Sequence, residues 1–98
     1  MPRRAIERIR DKIRQQQYDM TAHAMEEMAE DDLDIIDVEC SILNGEVVRI
    51  DRVDLRGTKY VVKGMAVDET TSVGTAGRFS SIERYLIITV YEVTDPND

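Results

Sequence analysis

The sequence predicts an α+β domain in which N-terminal helices pack on a twisted antiparallel sheet of about four strands. Apolar residues recur at helical spacing as far as Gly45 and alternate at strand spacing beyond it, and 98 residues suit one modest core. Helices first and strands afterwards is the order of an α+β fold, not of alternating βαβ units.

The first element, over 3–17, reads as a basic amphipathic helix. Ile6, Ile9 and Ile13 form one stripe, Pro2 suits the first turn, and Arg3, Arg10, Arg14 and Arg4, Arg8, Lys12 flank the stripe on its two sides. Such a stripe either docks on the chain's own core or meets a partner. In the partner reading Ile6, Ile9, Ile13 and Arg10 are the contact residues. The cations then call for an acidic surface, that of an antitoxin-like protein or of a second copy of the chain.

Thr21 is placed to cap a second helix running to about Glu30, with Ala24, Met25, Met28 and Ala29 facing inward. Asp34 caps a third, with Asp37 in its first turn where a carboxylate complements the helix dipole. Ile35, Val38, Ile42 and Leu43 form its apolar face, and Asn44-Gly45 ends it.

After Gly45, "EVVRI" (46–50), "TKYVVKGMAV" (58–67) and "YLIITVYEV" (85–93) are rich in β-branched and aromatic residues and read as strands. The last is apolar on both faces, which predicts a central position in the sheet. The Gly/Ser/Thr-rich stretch 68–84 is expected to hold a further strand over Ser72–Phe79, because a structureless connection of that length is uncommon in a compact domain. The organisation is one domain, 1–98: a basic helix (1–17), an α+β core (18–93) and a polar tail (94–98).

The net charge of −7 is unevenly spread. Residues 1–19 carry six basic and three acidic groups, whereas 20–54 carry two basic and eleven acidic. That balance disfavours broad nonspecific nucleic-acid binding and leaves room only for a local basic patch. The longest apolar run, "YLIITVY", is too short to cross a bilayer, and "MPRRAIERIRDKIR" has no apolar h-region, so a cytoplasmic protein is expected. The single Cys40 reads as a buried small apolar residue. No C-x-x-C pair is present, "EEMAEDDLD" lacks the spacing of a calcium loop, and Gly74 and Gly77 lack the strand-to-helix setting of a phosphate loop. Neither a metal nor a cofactor is expected.

Several pieces together resemble a known pattern. "YDMTAHAMEEMAEDDLDIIDVECSILNGEVV", "RGTKYVVKGMAV" and "YLIITVYEV" place His23-Ala24 at the opening of a helix, then Asp37-Val38, Gly45-Glu46-Val47, Gly57 to Tyr60, and Ile87-Ile88-Thr89-Val90-Tyr91. Over about 18–93 this resembles an uncharacterised bacterial domain family distantly similar to the RelE/ParE toxins. The resemblance implies a RelE/barnase-like fold and a toxin-type domain acting on RNA. It also implies roles: His23 for proton transfer, Lys59 with Arg56 and Arg78 as phosphate clamps, and Thr89 or Tyr91 as a positioning hydroxyl.

The chain departs from that pattern at telling places. Relatives commonly carry arginines one and two turns after the histidine, where this chain has Glu27 and Asp31, and a second histidine in the strand that here reads "TTSVGTAGRF". Metal-free RNA cleavage needs a base, an acid and cations around the phosphate. Glu26, Glu27 and Glu30 share or border the face of His23 and repel a phosphate. The alternatives are therefore a noncatalytic protein-protein interaction module that keeps the fold, and a His23 that pins the start of its helix.

Overall fold

In the computed structural model, which describes residues 4–52 and 55–94, three helices and five strands follow one another. The order is α1 (Ala5–Arg14), β1 (Tyr18–Met20), α2 (Ala22–Glu30), α3 (Ile35–Asn44), β2 (Glu46–Asp51), β3 (Lys59–Met65), β4 (Ser72–Phe79) and β5 (Tyr85–Glu92). The α+β expectation and the switch of period at Gly45 are both met. Pro2, Arg3 and the tail beyond Thr94 lie outside the described residues.

The sheet has five strands, in the order β1-β5-β4-β3-β2. The fifth is β1, whose three residues pair with Tyr85, Leu86 and Ile87 in parallel; every other pairing is antiparallel. A three-residue strand is too short to show alternation, so only its distant partner reveals it. β5 is internal, as its two apolar faces require, but β4 takes the centre: Val73 to Gly77 are all buried.

Pairing fixes the two faces of the sheet. Val62, Thr75 and Val90 lie in one row, and Ile87 pairs with Gly77 and Tyr85 with Phe79 on the same face. This face meets the helices. Val62, Val73, Tyr85, Ile87 and Val90 form one core with Ile6, Ile9, Ile13, Ala24, Val38 and Ile42. The approach of α3 is close: a Cβ on Gly64 would stand 2.7 Å from the Asn44 side chain and run into the Ser41 carbonyl. Gly64 is thus required for α3 to lie on β3.

The isoleucine stripe of α1 is spent on this core. Ile6, Ile9 and Ile13 are at most 4% exposed, which corrects their expected role as a partner-binding surface: they pack inward because the rest of the core needs a lid. Arg10, expected beside them at that surface, instead donates through Nη2 to the Gly45 carbonyl at 2.7 Å and ties α1 to the end of α3. Arg8 lies over the Phe79 ring, 4.3 Å from its centroid.

The N-caps are as expected, whereas Gly45 closes α3 in an extended and not a left-handed conformation, and some residues expected to face inward do not. Thr21 Oγ1 accepts from the Ala24 N–H at 3.1 Å, and Asp37 accepts from the Asp34 N–H at 3.0 Å. Met25, Ala29 and Ile35, expected inward, are exposed, and Cys40 is only half-buried. The cause is geometric: α2 runs beside β5 and buries only Ala24 fully, and α3 buries the narrow stripe Val38, Ser41, Ile42.

Candidate functional site

The face of the sheet turned away from the core is built by the same registers. Arg49, Val61, Ala76 and Thr89 form one row; Glu46, Lys63, Gly74 and Tyr91 form the next; Asp51 and Lys59 pair on the far side of Val61, with Arg78 opposite Leu86. None of these residues joins the hydrophobic core that the helices cover. The three inner strands offer Lys59, Lys63 and Arg78 on this face and no carboxylate, while Glu46 and Asp51 stand on the edge strand β2. Among the described residues, none of the ion pairs takes up Lys59, Lys63 or Arg78. In a chain of net charge −7 this is a local concentration of cations.

The floor of this face is made of small residues. Gly74 and Ala76 are buried beneath longer neighbours. A Cβ on Gly74 would come within 2.6 Å of the Tyr91 hydroxyl and collide with the ring, so the glycine exists to let that ring lie across β4. Tyr91 itself is half-buried, its ring and hydroxyl lying over Gly74 in the row that ends at Lys63 and Glu46. The face combines cations, the Thr89 and Tyr91 hydroxyls, and one aromatic ring, the groups that hold a phosphate backbone and a base.

His23 belongs to a different structure. It opens α2 with a side chain 66% exposed, and its Nε2 lies 3.2 Å from Glu27 Oε1. The same oxygen accepts the Val90 N–H at 3.2 Å, and one turn later Asp31 Oδ2 accepts the Glu92 N–H at 2.9 Å. Where β1 ends, therefore, α2 takes over the outer edge of β5, and two carboxylates replace the carbonyls of a missing strand. Thr21 begins this arrangement, its hydroxyl donating to the Ile88 carbonyl at 3.0 Å. An arginine at Glu27 or Asp31, a donor only, could not accept those amides.

Of the residues named from sequence, Lys59, Arg78, Thr89 and Tyr91 share the open face. His23 sits on α2 at the β5 edge, and Arg56 lies in the exposed β2–β3 connection. Lys63 and Arg49 were missed, although alternation along β3 puts Lys59, Val61 and Lys63 on one side. Among the described residues no cluster of three His, Cys, Asp or Glu side chains is placed to hold a metal, and no helix is long and apolar enough to cross a membrane.

Comparison with known families adds one match. The model of a family described as a domain of unknown function (DUF4258) matches residues 20–92, which leaves α1 outside. No curated protein and no solved structure matches the chain.

Proposed function

We propose that this chain, which belongs to the DUF4258 family, is a RelE/ParE-type domain that binds RNA on the open face of its sheet and does not cleave it. The observation that carries the reading is the register that gathers Lys59, Lys63, Arg78, Thr89 and Tyr91 on a face no helix of the core covers. Phosphates are neutralised by the three cations, the two hydroxyls donate to phosphate or sugar oxygens, and a base stacks on Tyr91. The eleven acidic groups of residues 20–54 repel nucleic acid from α2 and α3, which leaves the open face and the basic α1 as the cationic surfaces.

Cleavage is not supported. His23 is the only histidine, its partner Glu27 is committed to the β5 edge, and the carboxylates of α2 disfavour a phosphate beside it. Toxin-type ancestry would then leave a binding domain. A protein-binding role is favoured by a separate feature, an apolar groove along α3.

Fluorescence anisotropy of a short labelled single-stranded RNA tests the RNA reading. Binding should weaken with salt, and each of Lys59→Ala, Lys63→Ala and Arg78→Ala should reduce the slope of log K against log salt by about 0.7, the value for one phosphate contact on a single strand. No binding at low salt, or slopes unchanged in all three variants, refutes it.

A further inference from the structure

We propose that the groove along α3 is the docking site of a partner protein's basic amphipathic helix. Ile36, Cys40 and Leu43 recur at helical spacing along one flank of α3, with Leu43 also packing against the edge of the core, and Val67 closes the groove, whose volume is about 480 Å³. Ile36 and Val67 are 58% and 52% exposed. Two large apolar side chains thus face water on the walls of one groove.

The groove is held in shape by hydrogen bonds. Asn44 donates from Nδ2 to the Met65 carbonyl and accepts the Met65 N–H at Oδ1, both at 2.8 Å. Asp37 Oδ1 accepts the Val67 N–H at 3.2 Å, which fixes Val67 relative to α3. A preformed wall lowers the ordering cost of binding.

Charge selects the occupant. Glu39 lines the groove, Asp34 and Asp37 stand at its α3 end, and Asp68 and Glu69 follow Val67. Residues 31–48 and 64–69 contain no lysine or arginine. A partner must bring apolar side chains flanked by cations, and a stripe at i, i+4, i+7 is the shape that meets a helix. A second copy does not supply one: the isoleucines of its basic α1 are buried. Its β2 edge, with Val48, Arg49, Ile50 and Arg52, would pair two different surfaces and give rings or filaments between chains that each carry −7.

The probe is a synthetic Leu/Lys amphipathic helical peptide, with a Leu/Glu peptide of the same pattern as control. Two readouts are taken: anisotropy of the dye-labelled peptide, and the alkylation rate of Cys40, the chain's single thiol. The Leu/Lys peptide should bind and slow alkylation at least about tenfold. Ile36→Ser and Val67→Ser, both at exposed positions, should each weaken binding by about tenfold, equivalent to 1.4 kcal/mol. The Leu/Glu peptide should do neither. The proposal is overturned if the Leu/Lys peptide does not bind, or binds both variants as tightly as the parent, which would make it a general attraction to acidic surface. It is equally overturned if rising protein concentration alone protects Cys40 while light scattering shows larger species, which would make the occupant a second copy.

Discussion

Replacing Glu27 by alanine removes the acceptor that closes the outer edge of β5. Val90 is fully buried as a residue, and its amide reaches Glu27 Oε1 at 3.2 Å; Asp31 makes the companion bond to Glu92 at 2.9 Å. A hydrogen bond to a charged acceptor contributes about 1.5–3 kcal/mol. The length of this one, and its partial access to water, put it at the lower end. The loss should be about 1.5 kcal/mol, and at about 4–8 °C per kcal/mol for a domain of this size Tm should fall by about 6–12 °C. Glu27→Arg should lose at least as much, because an arginine offers no acceptor. Glu26→Ala, one position away and exposed, should stay within about 0.5 kcal/mol of the parent. Thermal denaturation by circular dichroism gives the stability, and amide exchange at Val90 gives the location. If Glu27→Ala melts with Glu26→Ala and Val90 exchanges no faster, the carboxylate edge is not part of what holds β5.

Three further outcomes follow from the packing. The Tyr85 hydroxyl is buried with no hydrogen-bond partner among the described residues, so Tyr85→Phe should be neutral or stabilising by about 1 kcal/mol in chemical denaturation at neutral pH. Burial also lifts the Tyr85 phenol above its ordinary 10.0, so its contribution is present below that pH and is lost as pH rises past it and the unfolded chain ionises; Tyr85→Phe should shrink the alkaline loss. Asp68 is held down to about 2 by the Thr71 hydroxyl and the Thr71 and Thr70 amides; its contribution is present above 3.8 and lost as pH falls through about 2, where the melting curves of Asp68→Ala and the parent should converge. Gly74→Ala should destabilise by about 1–3 kcal/mol by overpacking against Tyr91, and Gly74→Ala combined with Tyr91→Ala should recover part of that loss in a double-mutant cycle.

Local chemistry made much of the fold legible. Thr21 and Asp34 mark helix starts by what their own side chains do, and the Ser72–Phe79 strand follows from chain economy; Gly45 ends α3 in an extended conformation and is required by the Lys63 and Ser41 carbonyls that crowd it. Elements that depend on distant partners were not legible. β1 is a strand only because Tyr85 to Ile87 pass beside it, and Met25, Ala29 and Ile35 carry an apolar period that no surface meets. For the site, alternation is enough to align Lys59 with Lys63, and the registers then bring in Arg78, Thr89 and Tyr91. The role of Glu27 and Asp31 could not be read, because as residue types they suggest solvated charge and their partners lie about sixty positions away in β5. The α1 stripe shows the same limit: its spacing predicts burial, and only the completed core decides against what.

Ultraviolet cross-linking of the protein to single-stranded RNA, followed by mapping of the adducts by mass spectrometry and sizing of the recovered RNA, tests the central claim most directly. The account predicts adducts in the peptides that carry Lys59 to Lys63 and Tyr91, from RNA that remains full length with the parent and with His23→Ala. Adducts confined to α1 or α2, or RNA shortened by the parent and left whole by His23→Ala, would contradict it.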